Sequence, residues 1–560
     1  MRSSCNKAPD EDLQESGEVK EFSTFDYNYI DQYAQQNKVL SNIESIYENE
    51  FCNDTFIGKI ESLVGSPVIR GSYKRAICYI LFRNYRNRFF NIPKIPVPFW
   101  KAGYKKVKSV SQFALYPLWI LYQIGVPSFR KKTPQSYQCG IRVGCCDWSF
   151  KNTYKSFDFL IDNRELTAEN VLFCIEEPIS QEYQDAIDSR GYHSVRLREV
   201  LKGADISFIY RVFLKKQVPV WLHLLFGSFK KQPFMLPLTL EIMYKSLIWS
   251  KLLEEYHIRH YVVFNDYLTA DTVRYIHCDQ NDTQTWCYIH SSSTNDLITP
   301  PGEEEVIDIQ FAFYATHHLV VWGRKMENYY KKHPNYIKNF DLSGCMTSEL
   351  IRNALEPPAS NIPRTKINEK CSPKKIIGVF DTSFTEICPL TYRDMAQFVE
   401  GLLRLLDDFP DVGIIFKDKK SVEWLSEYVP QIIPYYQKLR DHPRCYFPDV
   451  ENTDPTECIA ASDLIISAPF TSPSIEALGA GIRAMYYDAS DRFPGCYYDR
   501  IPRFVAHNYD ELKDFVEYWL YGTTAEEFEL FLNTHIKGEI HEHLDGKAIT
   551  RFRQQLSRQP

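Results

Sequence analysis

The stretch from Ala460 to Asp488 holds the residues best spaced to do chemistry. Asp463-Leu-Ile-Ile-Ser467 reads as a buried strand, and Pro469-Phe470-Thr471-Ser472-Pro473-Ser474-Ile475-Glu476 as a turn that becomes a helix. Pro473 suits the first helical turn, where its missing N–H costs nothing. The free N–H groups of that turn, with the hydroxyls of Thr471, Ser472 and Ser474, make a place for phosphate oxygens. Glu476 is expected in the same first turn, able to accept hydrogen bonds from ribose hydroxyls. Ser or Thr ahead of a helix with Glu a few residues on is also ordinary capping, the bland reading of the same letters. Gly479 and Gly481 are expected to let the chain turn closely into the strand Ala484-Met-Tyr-Tyr-Asp488.

Other chemistry-bearing residues sit where strands end. Asp381, Thr382 and Ser383 follow the strand KKIIGVF, where a turn can bring N–H groups and hydroxyls to a diphosphate. Lys417 ends the strand VGIIF, where a cation offsets charge on a departing phosphate. Lys419 and Lys420 read as a solvated face, and His442 as a loop histidine beside the same site. Asp266, after HYVVFN, and His290, after TWCYI, are candidate general bases for an acceptor hydroxyl, with Glu176 and Glu177 as rivals. Asp266 would be a covalent nucleophile in a reaction that retains configuration. Simple strand-end capping competes for each of these.

A metal is not expected. The one D-x-D in the chain is Asp10-Glu11-Asp12, in a polar tail, and no His, Cys or carboxylate cluster has ligand spacing. No cofactor is called for. The 15 cysteines form no C-x-x-C pair and suit free thiols in a reducing compartment, with no apolar leader at the N-terminus. A net charge of -7 speaks against a nucleic-acid partner.

These strand ends need a scaffold, and 560 residues are too many for one core. Buried strands alternate with helices over 138–354 and again over 374–535, which predicts two α/β domains with parallel sheets. Residues 1–20 read as a disordered acidic tail, 355–373 as a Pro-rich linker, and 536–560 as a C-terminal tail or helix. Residues 21–137 read as a helical, basic-aromatic appendage. Between Glu61 and Asp147 there is no Asp or Glu, while cations flank runs such as FALYPLWILYQIGVP. That composition suits an anionic membrane surface, or, more simply, a basic domain flank with buried aromatics. No uninterrupted apolar run reaches the length of an ordinary membrane span.

The segment SDLIISAPFTSPSIEALGAGIRAMYYD, followed by DRIPRFVAHNYDEL, resembles the bacterial polysaccharide-biosynthesis proteins named for their PFTS motif. FNDY, IHSSS, VVWG, IIGVFDTSF and GIIFKDKK are similar to a wider set of surface-carbohydrate biosynthesis proteins. The resemblance spans about residues 140–520 and is strongest over 460–512. It implies two Rossmann-like domains facing a cleft, the GT-B arrangement, with a nucleotide-sugar donor held mainly by the second domain. The reaction expected is transfer to a glycan or lipid-linked acceptor, in the cytoplasm and at the inner face of the membrane, where the basic-aromatic stretch would hold the protein. A nucleotide-sugar epimerase of the same architecture, or a catalytically silent scaffold, are the alternatives.

Overall fold

The computed structural model describes residues 43, 54–78, 111–129, 133–143, 166–176, 179–227, 235–264, 271–289, 311–355, 362–384, 390–450 and 452–558. Both predicted α/β regions contain a parallel sheet. The first sheet is built from β1 (Gln135–Val143), β2 (Val171–Ile175), β3 (His193–Arg196), β4 (Tyr256–Phe264), β5 (Gln284–Tyr288), β6 (Ala315–Val320) and β7 (Tyr336–Asp341). Its order is β3-β2-β1-β4-β5-β6-β7, with every neighbouring pair parallel. The second is built from β8 (Lys375–Phe380), β9 (Val412–Lys417), β10 (Cys445–Tyr446), β11 (Leu464–Ser467), β12 (Arg483–Tyr487) and β13 (Val505–Ala506). Its order is β10-β9-β8-β11-β12-β13, again all parallel.

Both orders are those of a doubly wound Rossmann sheet, in which the chain reverses direction between the first and fourth strands. Two such sheets in one chain are the α/β, GT-B-like fold class that the sequence led us to expect. The central strands are apolar on both faces because helices cover both: β2, β9 and β11 are buried at every position.

Local signals explain where the helices begin. Thr391 and Asp394 form a reciprocal capping box at the start of Tyr392–Asp408, whose Met395, Phe398, Val399, Leu402 and Leu406 face the core. Asn508 caps Tyr509–Glu517, as its position before an apolar stripe predicts. The run LTLEIMYKSLIWSKLLEE forms the long helix Leu236–Glu255. The Pro-rich stretch after Leu355 contains a helix, Ile362–Cys371, anchored by buried Pro363 and Ile367.

Two segments tie the sheets together. Helix Met346–Leu355 follows the first sheet in sequence yet packs against Pro455–Ala460 and Ser472–Ala480 of the second. The C-terminal helix Ala548–Ser557 returns to the first sheet, where Gln138 donates to the Leu556 carbonyl at 2.7 Å and Phe552 meets Trp286. No helix among the described residues is long and apolar enough to cross a membrane.

Candidate functional site

Ligands of doubly wound sheets bind outside the carboxyl ends of the strands, where the strand order reverses. In the second sheet that point lies between β8 and β11, whose last residues, Phe380 and Ser467, are paired. Asp381, Thr382 and Ser383 leave β8 there, and the Ala468–Ser472 turn leaves β11 beside them, with Ala468 N–H donating to the Phe380 carbonyl at 2.9 Å. Lys417, at the end of β9, pairs with Phe380 from the other side. The topology thus gathers the eight second-domain candidates around three adjacent strand ends.

Their environments separate them into two sets. Ser474 is fully buried and bonded within the protein, donating to the Met485 carbonyl at 2.9 Å with Ser467 Oγ 2.8 Å away. Lys417 Nζ donates to the carbonyls of Asp449 (3.0 Å) and Val450 (2.7 Å), and burial lowers its pKa. Asp381 accepts from Lys419 N–H at 2.7 Å and from the Tyr436 hydroxyl at 2.9 Å, while burial and the adjacent Asp418 push its pKa up. Ser474, Lys417 and Asp381 therefore brace the strand ends. Thr382, Ser383 and Ser472 are partly exposed at the same ends.

The helix Ser472–Ala480 departs from the capping reading. Thr471 is its N-cap, but the hydroxyl turns back to the Ala468 carbonyl at 3.0 Å and makes no cap to the first turn. The helix therefore begins without a side-chain cap, as an anion-binding start requires. Glu476, expected in the first turn, instead stands on the second, since the helix starts at Ser472. The terminal dipole therefore does not act on it strongly. Glu476 is 4% exposed, and its carboxylate has no hydrogen-bond partner among the described residues. Burial, followed by the charge of Asp454, raises its pKa to about 8. Its charge acts on Tyr288 at the end of β5, on Cys345 and on Tyr486, so it lies in the seam between the two sheets.

One of the two glycines makes the expected turn into β12 and the other does not. Gly481 is the left-handed C-cap at φ 81°. Gly479 is a packing contact: a Cβ there would lie 2.3 Å from Ser348 Oγ and 2.8 Å from the His541 ring.

Phe470, inside the same turn, holds φ at 62°, a left-handed conformation unfavourable for a bulky residue. Its ring packs edge-on against Phe493 at 4.9 Å and stacks toward Tyr498 at 6.4 Å. Tyr498 in turn meets Lys325, whose Nζ lies 3.3 Å from its hydroxyl and 4.6 Å from the Tyr497 ring. Burial lowers the Lys325 pKa to about 7. Lys325 follows β6, so this aromatic contact joins the turn to the first sheet.

Sequence reading missed these partners because they meet only in three dimensions: Tyr436 is 55 residues from Asp381, and Tyr498 is 173 from Lys325. It also missed Asp488, Asp491 and His507, which bring potential metal-ligand atoms within 4.8 Å of one another where β12 and β13 end. His507 is already engaged by Asp488 at 3.3 Å and Asp499 at 3.1 Å, and those carboxylates raise its pKa to about 9. Asp266 and His290 lie outside the described residues, as does Glu177. Glu176 is bound at 2.8 Å by Arg142. His442 accepts the Arg444 N–H at 3.2 Å and supports its own loop. A cavity of about 710 Å³ lined by Tyr137, Tyr256, His257 and Asn281 opens at the amino ends of β1 and β4 in the first sheet.

Comparison with known proteins matches residues 213–516 to the model of a family described as "Polysaccharide biosynthesis PFTS motif protein". No curated protein matches the chain. Among solved structures, the wall teichoic acid polymerase TagF is similar at 10% identity, covering 82% of this chain and 98% of that one, with a TM-score of 0.41. UDP-GlcNAc 2-epimerase from Neisseria meningitidis, bound to UDP-GlcNAc, is similar at 12% identity, covering 75% and 99%, with a TM-score of 0.43. The S. aureus MnaA–UDP co-structure is similar at 10% identity, covering 75% and 95%, with a TM-score of 0.42.

Proposed function

This chain belongs to the family of polysaccharide biosynthesis PFTS motif proteins, and from that premise we propose that it is a glycosyltransferase. It moves a sugar from a nucleotide-sugar donor to a glycan or lipid-linked acceptor in bacterial surface polysaccharide assembly. The observation that carries this reading is the uncapped start of helix Ser472–Ala480 together with Glu476, buried and without a hydrogen-bond partner among the described residues.

The N–H groups of the first turn and the Ser472 hydroxyl receive the donor diphosphate, with Thr382 and Ser383 across the strand ends. Backbone dipoles fixed in place stabilise the charge that builds on the departing nucleotide, and they do so without reorganising. Glu476 takes the ribose hydroxyls, which offer its oxygens the donors that the protein withholds. Asp266 and His290, two residues past the paired ends of β4 and β5, are the candidates to deprotonate the acceptor hydroxyl.

A thermal-shift panel of UDP-, GDP-, CMP- and dTDP-sugars tests this. Ligand at 100 times its Kd stabilises the folded protein by about 2.7 kcal/mol. One nucleotide class should raise the Tm of the wild type; Glu476→Ala should lose that response and Ser472→Ala should weaken it. A folded protein with no response to any class would overturn the proposal and leave the silent scaffold. Conversion of the free nucleotide sugar without acceptor would instead identify an epimerase.

A further inference from the structure

Helix Tyr116–Ile124 has no charged residue, and it buries only Tyr116, Ile120 and Ile124. A second segment, 206–227, lies antiparallel beside it. At one end Tyr116 donates to Gln217 at 2.9 Å and Trp221 to the Phe113 carbonyl at 2.7 Å. At the other, Gly203 N–H donates to the Ile124 carbonyl at 2.9 Å and Ile206 N–H to Ser128 at 3.2 Å. The two segments thus form one ordered ridge.

The ridge turns large apolar side chains outward. Tyr122, Val126 and Phe129 are 79%, 88% and 91% exposed, with Leu118 beside them at 65%. On the second segment Ile206, Tyr210, Leu214, Leu222 and Phe226 are exposed as well. Scattered exposed apolar residues are ordinary, but two adjoining segments presenting them together mark a binding surface.

The charge around the ridge selects the partner. Residues 111–129 and 206–227 contain no Asp or Glu; Lys215 and Lys216 are exposed among the apolar side chains, and Arg211 beside them pairs with Glu254 at 2.8 Å. In sequence, Phe129 runs directly into Arg130-Lys131-Lys132, and Phe226 is followed closely by Lys230-Lys231. Nine helical residues reach only about 14 Å, too short to span a bilayer. An apolar ridge that carries exposed Lys215 and Lys216 suits insertion to the depth of the headgroups of an anionic bilayer.

We propose that this ridge docks the protein onto an anionic lipid bilayer. The docking is independent of the donor chemistry proposed above, so either can fail alone.

Flotation of the full chain with vesicles of phosphatidylcholine, with or without phosphatidylglycerol, tests it. The wild type should float with the anionic vesicles only, and less so at high salt. The double variants Leu118→Gln with Tyr122→Gln, and Leu214→Gln with Phe226→Gln, should each lose at least about tenfold in partitioning. Lys215→Gln with Lys216→Gln should lose about 25-fold, roughly fivefold for each cation. Circular dichroism and Tm should stay at wild-type values, because these side chains point outward. A folded wild type that stays off anionic vesicles, equal binding to neutral ones, or variants that float like the wild type would overturn the proposal. So would a wild-type dimer, seen by light scattering, that the apolar variants convert to monomer with vesicle binding intact; the ridge would then be a contact between copies of this chain.

Discussion

The hydroxyl of Ser348 donates to the backbone carbonyl of Glu476 at 2.8 Å, tying the helix that ends the first half of the chain to the helix that carries the PFTS residues. The contact is close because residue 479, one turn further on, has no side chain. The placement of Glu476 thus depends on a glycine at the seam.

Gly479→Ala should therefore destabilise the protein. Its Cβ would meet Ser348 Oγ at 2.3 Å and the His541 ring at 2.8 Å, and both are held, His541 by the Ile475 carbonyl at 2.8 Å. Overpacking of this kind costs about 1–3 kcal/mol, read as a lower midpoint in urea.

Glu476 makes stability depend on pH. Its pKa rises from 4.5 to about 8 on folding, so the folded state holds a proton that the unfolded chain gives up. That contribution is complete below pH 4.5 and is lost as pH rises through about 8. Within this window stability should fall by up to about 1.4 kcal/mol per pH unit from this group. Glu476→Gln, neutral and of the same shape, should flatten that slope in a pH series of thermal melts.

Ser472 and Ser474 are two residues apart and should fail differently. Ser474→Ala strips buried partners of a hydrogen bond and should cost about 1–3 kcal/mol of stability in urea denaturation. Ser472→Ala should weaken nucleotide-sugar binding about tenfold or more, as loss of a hydrogen bond to a charged oxygen does. Calorimetric titration with the responsive donor separates the two.

Phe470 should invert the usual order of Ala and Gly. Truncation to Ala removes its ring from Phe493 and Tyr498 and should cost about 3–5 kcal/mol. Glycine loses the same ring but relieves the left-handed backbone, a gain of about 1–2 kcal/mol for a residue at φ 62°. That outweighs the roughly 0.5–1 kcal/mol entropic cost of glycine. Phe470→Gly should thus unfold at a higher urea concentration than Phe470→Ala.

What the sequence determined by itself was what its periodicities encode. Apolar runs such as KIIGVF and LIIS, alternating with amphipathic helices, announced two parallel sheets, and Asn508 before its stripe announced a helix start. Such signals are local, because strand and helix burial recur every two and every three to four residues. The PFTS stretch was equally legible as a strand, a turn and a helix start.

Tertiary structure decided what each polar residue does. Asp381, Lys417 and Ser474 read alike as site candidates, and only the folded chain shows their polar atoms committed to Tyr436, the Asp449 carbonyl and Met485. It also set Glu476 on the second helical turn, turned Thr471 away from its helix, and brought the segment around Tyr210 alongside helix Tyr116–Ile124. The physical reason is common to all of these. Whether a polar or apolar side chain is satisfied, strained or left open depends on neighbours tens to more than a hundred residues away, and no local pattern records which neighbours those will be.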